Sequence, residues 1–489
     1  MTGLFQIFQN PVLILLVASG TFFGVYIGAI PGLSGTMAIS LLVSFTYSWE
    51  TEKAVALMIG VFVGVVFGGS RSAILLNIPG APAAVATGLD GYPLARKGKA
   101  GIAMGVTVIM SFFGTVFGTL ILAFGAPLVS RLSLAFKSID YFLLAVIGLI
   151  MAGSIGRGQL RKSVIAALAG IFVGMIGIDP VTAVKRFTFG NPYFNGGVDF
   201  IVALIGLFGV SEALLQILEG EKQKVMQKAG KILPPWNDVV HHFPLALRCA
   251  VIGTLIGALP GAGGDIASVV SYNYAKRTVK NPETPFGDGA VEGLIAPETA
   301  NNAAIGGALI PMLTLGIPGD AVTGVLIGAL SIHGLRPGPG FLSESPGVFQ
   351  LIIGCLLIAS VFLLIFGLSG IRVFVMLTEI PKSVLMPVVI MLCIIGSYTI
   401  RNNVFDIIWM FVFGAIGCFM KRNGYPVSPM VLGLILSDMF ESNLLRWLKL
   451  NNLSAAGMLG SLFKSPISIV LVIVAVASCI SVLGNTKNR

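Results

Sequence analysis

The chain is poor in charge, in histidine and in clustered cysteine. Only 11% of its 489 residues are Asp, Glu, Lys or Arg, against roughly 25% in a soluble domain. That excludes an ordinary water-soluble globule. Three histidines and five cysteines are too few and too scattered for a metal centre or a disulfide framework. Cys249, Cys355, Cys393, Cys418 and Cys479 all fall in apolar segments and form no CxxC pair, so they read as buried thiols. H-E-x-x-H, G-x-S-x-G and Walker A sequences are missing, which removes the commonest hydrolase and NTPase chemistries. Gly263-Gly264-Asp265 faintly suggests an intramembrane aspartyl protease, but nothing else in the chain serves that chemistry. No basic n-region with an A-x-A site precedes the first apolar run, so that segment is expected to be retained. The alternating short strands of a membrane barrel are also missing.

What the chain has is apolar length. It is 55% hydrophobic, and runs of about 18 residues or more recur, the mark of a helical membrane protein. Its 62 glycines suit close helix packing and broken helices. The net charge of +10 sits in short Lys/Arg clusters between apolar runs. That pattern sets topology and is not a nucleic-acid signature.

Two stretches repeat. Gly24-Val25-Tyr26-Ile27-Gly28-Ala29-Ile30-Pro31-Gly32 and Gly253-Thr254-Leu255-Ile256-Gly257-Ala258-Leu259-Pro260-Gly261 share six of nine residues, and Gly35 matches Gly264. Each is followed by an Ile-Pro-Gly triplet, Ile78-Pro79-Gly80 and Ile317-Pro318-Gly319. The offsets are 260 − 31 = 229 and 317 − 78 = 239, the extra ten residues lying in the longer loop 276–290. Proline blocks a helix and removes a donor. At membrane depth the freed backbone survives only buried in protein or lining a cavity. Paired breaks at matching positions of two halves point to a transporter binding site.

Loop charge orients the halves. The first-half loop between the breaks, 46–53, is weakly acidic, and the loop after Ile-Pro-Gly carries Arg96, Lys97 and Lys99. In the second half the loop between the breaks carries Lys276, Arg277 and Lys280, and the later loop has only Arg336 against Glu344. Corresponding loops therefore face opposite sides. The expected fold is an all-α polytopic membrane protein with about 10–12 transmembrane helices plus broken or re-entrant hairpins in two inverted-topology repeats. The first repeat covers 1–218, with two half-length helices meeting at a tip over 31–35 and a second tip at 78–82. A hydrophilic linker, 219–242, follows, and the second repeat covers 243–489 with tips at 260–265 and 317–320. The N-terminus is then external.

Helix N-termini just after such breaks hold carboxylates without formal charge. The expected substrate contacts are Gly32, Ser34, Gly35, Asn77, Gly80, Gly261, Ala262, Gly263, Gly316 and Gly319, with Thr36 and Thr314 as further donors. Asp265, Asp320, Glu298, Asn301 and Asn302 are the candidates for coupling a cation, Na⁺ or H⁺. The plain alternative for the aspartates is helix capping, and for the asparagines a bridge between helices. Arg71 faces an anionic substrate, pairs with a carboxylate or snorkels. His333 reads as structural.

These motifs resemble the large membrane subunit of the tripartite tricarboxylate transporter family. The resemblance rests on residues 28–35, 77–80, 90–94 (Asp90-Gly91-Tyr92-Pro93-Leu94), 257–263, 296–303 (Ala296-Pro297-Glu298-Thr299-Ala300-Asn301-Asn302-Ala303), 315–319 and 333–339. After about residue 345 the likeness is mainly one of hydropathy. It implies a secondary transporter of the bacterial inner membrane for citrate and other carboxylates, driven by a sodium or proton gradient. It also implies two partners, a small membrane subunit and a periplasmic solute-binding protein. No cofactor is implied. The alternative is a stand-alone anion permease or channel-like protein that needs no binding protein.

Overall fold

The computed structural model describes residues 7–30, 33–77, 80–155, 160–179, 182–219, 240–370, 382–451, 460–462 and 465–487. The Pro31-Gly32 and Ile78-Pro79 pairs and most of the hydrophilic linker, 220–239, lie outside them. The protein is almost entirely helical. In the first half α1 (Pro11–Ala29), α2 (Gly35–Thr46), α3 (Thr51–Leu76) and α4 (Ala84–Leu94) lead through a π-helical turn to α5 (Ala100–Ser133). Then come α6 (Ser138–Ile155), α7 (Leu160–Gly174), and a small antiparallel pair, β1 (Gly177–Ile178) and β2 (Lys185–Arg186). A π-helical stretch joins α8 (Phe200–Leu204) to α9 (Ser211–Glu219).

The second half holds α10 (Phe243–Gly257), α11 (Gly263–Thr278), α12 (Glu292–Leu315), α13 (Ala321–Ile332) and the short α14 (Phe341–Glu344). It ends with α15 (Pro346–Ser369), α16 (Lys382–Arg401), α17 (Val404–Arg422), α18 (Val427–Leu450) and α19 (Pro466–Lys487). Among the described residues six helical runs are long and apolar enough to cross a membrane, and five shorter apolar helices accompany them.

The helices α3 and α12 form the centre and are buried nearly throughout. Glycine sets how closely the others approach them. A β-carbon added at Gly24 of α1 would stand 2.5 Å from Val61 O, and one at Gly28 would stand 2.6 Å from Val65 O. From the other side, Gly60 and Gly64 of α3 sit equally close to Val17 O and Thr21 O. Backbone therefore touches backbone along a Gly-x-x-x-Gly seam. In the second half Gly257 of α10 is packed on Ala304 O of α12. Gly114 and Gly118 of α5 meet Thr299 and Ala303 of α12, so a first-half helix is seamed to a second-half one.

Polar contacts at the helix ends form two layers. In one, Lys97 donates to Asp288 O at 2.7 Å, His242 meets Glu292 at 3.2 Å, Lys162 donates to Asn423 O and Lys421 to Glu212. In the other, Thr51 donates to His333 O at 3.4 Å, Arg401 binds Asp406 and the carbonyls of Gly196 and Gly197, and Arg186 binds Glu441. The start of α3 thus lies with the end of α13, and the start of α12 lies with the end of α4. The two central helices run in opposite directions.

Some expectations change. The limb before the first break is not half-length, since α1 has 19 residues. Lys276 and Arg277 end α11 instead of starting a loop, because the buried face, mostly of small residues, runs on to Ala275 and basic side chains suit the last turn of a helix. Of the five cysteines, Cys418 is only partly buried and Cys479 is exposed. They sit on outer faces of apolar helices, where the surroundings are apolar without being protein.

Candidate functional site

The breaks end and restart helices in matched ways. Asn77 closes α3 in the left-handed conformation at φ 55°, and Gly316 closes α12 at φ 72°. These two caps are 316 − 77 = 239 residues apart. Asparagine and glycine are the residues that adopt this geometry most readily. Beyond each cap the chain folds back onto its neighbour. The Gly80 N–H donates to Gly69 O at 3.1 Å. A β-carbon at Gly80 would lie 2.5 Å from Gly28 O, and one at Gly319 would lie 2.6 Å from Gly257 O. In both halves, therefore, the second break rests on the last turn before the first.

The restarting helices are capped differently. Ser34 caps α2, its Oγ accepting from the Met37 N–H at 3.2 Å and meeting Thr36 Oγ1 at 2.8 Å. Asp320 caps α13 in a reciprocal box with Thr323, accepting from the Thr323 N–H at 2.8 Å. The N-terminus of α11 has no side-chain cap: it starts from Ala262, between Gly261 at φ +77° and Gly263 at φ +52°. Helix starts of this kind carry about half a positive charge.

Three of these starts are neighbours. Gly35 faces Val322 across the two halves, at 3.4 Å from where its β-carbon would be. Gly263 leans on the Asp320 side chain and Gly264 on the amide of Asn301. Asn301 in turn donates to Val66 O on α3 at 3.4 Å. The structure thus brings together Ser34, Gly35, Gly261, Ala262, Gly263, Asp320 and Asn301 around the crossing of α3 and α12. Gly80 and Gly319 flank this group through Gly28 and Gly257. Asn77 and Gly316 act as backbone caps, with Asn77 exposed. Thr314 is buried and donates to Ile310 O of its own helix. Asp265 lies exposed in the first turn of α11. Gly32 lies outside the described residues.

Glu298 and Asn302 face another way and build a second cluster. Glu298 is 1% exposed. Thr87 of α4 donates to its Oε1 at 2.6 Å, and Ser111 of α5 donates to its Oε2 at 2.9 Å. Asn302 donates through Nδ2 to Ser111 Oγ and to Glu298 O, both at 2.9 Å. Arg71 of α3 is within Coulombic reach of Glu298. Its guanidinium lies 3.9 Å over the Phe67 ring and donates to Met104 O at 3.1 Å. Being 1% exposed, Arg71 pairs internally and does not snorkel.

Next to this cluster stands Asp90, fully buried. Its Oδ1 accepts from the N–H groups of Gly287, Gly289 and Ala290, and its Oδ2 from the Tyr272 hydroxyl. Asp90 therefore clasps the loop before α12 onto α4. Sequence reading missed the roles of Thr87, Ser111 and Asp90. The signal available for Asp90 was a carboxylate in an apolar run, next to the glycine-rich sequence 287–290 on another loop.

An uncharacterized 52.8 kDa protein of Agrobacterium vitis, from the TAR-I ttuC' 3' region, is 34% identical over 445 residues, 90% of this chain and 88% of the relative. A second uncharacterized protein of that organism, from the TAR-II ttuC' 3' region, is 40% identical over 194 residues, 40% of this chain and 80% of the relative. No solved structure matches. A family model covers residues 14–432, from the first helix through every break to α18, and the chain belongs to the tripartite tricarboxylate transporter TctA family.

Proposed function

We propose that this chain is a secondary active importer of carboxylates of the tricarboxylate or dicarboxylate class. It works in the bacterial inner membrane with a small membrane subunit and a periplasmic solute-binding protein, and a cation gradient drives it. Membership of a tripartite transporter family supports the partners. The observation that carries the substrate class is the meeting of helix starts at Ser34-Gly35, Ala262-Gly263 and Asp320. Several N–H-bearing ends converge there with no lysine or arginine among them, a setting that suits a carboxylate. Substrate would lie between these ends and Asn301.

The inverted arrangement of two halves draws support from the antiparallel α3 and α12 and from the matched seating of Gly80 and Gly319. The layer holding Lys97, Lys162 and Lys421 is then cytoplasmic. Alternating access moves the break-bearing core against the longer outer helices.

The test is uptake of radiolabelled citrate, with a dicarboxylate and an aromatic carboxylate alongside, into proteoliposomes with and without a periplasmic extract. Accumulation that needs both an ion gradient and the extract is expected. A flux that needs neither overturns the reading in favour of a stand-alone permease.

A further inference from the structure

Two positions of the cluster around Glu298 have apolar counterparts. Positions 298 and 87 correspond to Ile59 and Leu326, since 298 − 59 = 239 and 326 − 87 = 239, the offset of the Ile-Pro-Gly breaks. Ile59 and Leu326 come together in space too, lining one apolar pocket with Met58, Met312 and Ile352. At these positions the fold closes one junction with the Ile59 and Leu326 hydrocarbon and the other with the Glu298 carboxylate and the Thr87 hydroxyl. Buried charge at such a junction gives no stability that packed hydrocarbon would not match. Within a membrane such groups are expensive and functional.

The donor set is specific. Glu298 Oε1 and Oε2, Thr87 Oγ1, Ser111 Oγ and Asn302 Oδ1 are all hard oxygens on three helices. Asn302 Oδ1 is fully buried and has no hydrogen-bond partner among the described residues. Its orientation is fixed by the network, because Nδ2 donates to the Glu298 carbonyl, which can only accept. That leaves the amide oxygen buried without a donor among the described residues. Arg71 lies within Coulombic reach of the Glu298 carboxylate, and the second buried carboxylate, Asp90, is met by three N–H groups and the Tyr272 hydroxyl. Near by, Glu292 is met by His242.

We propose that Glu298, Thr87, Ser111 and Asn302 form a site for one monovalent cation of sodium size. A single carboxylate with neutral oxygens is too little charge for calcium, which takes 6–8 ligands and commonly several carboxylates. On binding, the Thr87 and Ser111 hydroxyl protons rotate away from Glu298, and Asn302 Oδ1 gains its missing partner. As the coupling site of transport it rests on the importer reading; as a binding site it stands alone.

The test is equilibrium binding of ²²Na⁺ to the purified full-length chain in choline buffer. Saturable binding is expected, lowered at least about 10-fold in Glu298→Gln and about 10-fold in Ser111→Ala and Thr87→Val. Ser360→Ala, a buried hydroxyl elsewhere that bonds Leu357 O, keeps wild-type binding. If Glu298→Gln does not elute as a single species, the two hydroxyl variants decide. Absence of ²²Na⁺ binding in the wild type overturns the site, including the outcome that only protons bind. So does wild-type affinity in the variants. Sodium binding without uptake of any of the three carboxylates keeps the site and overturns the importer reading. Citrate uptake without sodium binding does the reverse.

Discussion

The seam between α1 and α3 makes a quantitative prediction. In Gly64→Ala the new β-carbon would lie 2.5 Å from Thr21 O and 2.7 Å from Val25 N. Ordinary contact begins at 3.4 Å, so the overlap is about 0.9 Å, the difference of 3.4 and 2.5. Both partners are backbone atoms of a helix and cannot swing aside. The two helices must part, at about 1–3 kcal/mol for overpacking of this kind. Against that, alanine gains about 0.5–1 kcal/mol over glycine in a helix interior. Gly125→Ala in α5 is the control, because its β-carbon would meet only the Ile310 and Ile121 side chains at 3.4 and 3.9 Å. It takes the helical gain without the clash. The difference between the two variants is therefore about 1–3 kcal/mol, a factor of roughly 5–30 or more in the folded-to-unfolded ratio. Denaturant titration of the chain in mixed micelles measures it. The double variant Gly24→Ala, Gly64→Ala should lose less than the sum of its parts, since helices already parted clash less. If Gly64→Ala and Gly125→Ala have midpoints within about 0.5 kcal/mol of each other, the backbone seam is not what holds these helices.

Replacing Pro260 and Gly261 together by alanine should abolish citrate uptake and leave membrane insertion intact; normal uptake would mean that the break is only a packing kink. Asp320→Asn should keep the α13 cap and its stability, whereas Asp320→Ala should lose about 1 kcal/mol in the same denaturant titration. Asp90→Ala removes the acceptor of three N–H groups and strands the two buried ones, of Gly289 and Ala290, at about 1–3 kcal/mol each. Its yield after detergent extraction should collapse, while Asp90→Asn, which keeps an acceptor, should be extracted. His333 lies just past α13, and burial holds its pKa below the ordinary imidazole value. The unfolded chain then takes up the proton first, so stability should fall as pH drops through about 6.5 and below. Melting of His333→Gln across that range should show a flatter profile.

Local chemistry was the legible part of this protein. Pro260-Gly261 and Gly316-Ile317-Pro318-Gly319 had to interrupt helices whatever surrounded them. The offset of 239 paired the two left-handed caps, Asn77 and Gly316, which the structure shows closing α3 and α12. The lengths of the limbs were not legible in that way. A break marks where α1 stops, but the start at Asn10 is a weak capping signal in an already apolar run. The Glu298 cluster was half visible. A glutamate in an apolar run announces itself, yet its partners Thr87 and Ser111 stand 211 and 187 residues away. Serines and threonines in membrane helices commonly bond their own carbonyls, as Thr115 and Thr119 do. Only the packing of α5 on α12 distinguishes Ser111 from them. The apolar counterpart at Ile59 and Leu326 was open to view once the offset of 239 was known, and comparing the halves position by position would have found it.

The seam between α5 and α12 also sets a timetable for synthesis. Gly118 leaves the ribosome 188 residues before its partner Gly306, since 306 − 118 = 188. At about 5–20 residues per second that interval is roughly 10–40 s. For that time α5 sits in the bilayer with its small-residue groove filled by lipid and its Ser111 hydroxyl turned to its own backbone. The first half is therefore inserted long before it is finished. A translation arrest placed between residues 133 and 292 should leave a chain that is fully threaded through the membrane and still open to protease at the loop between α4 and α5.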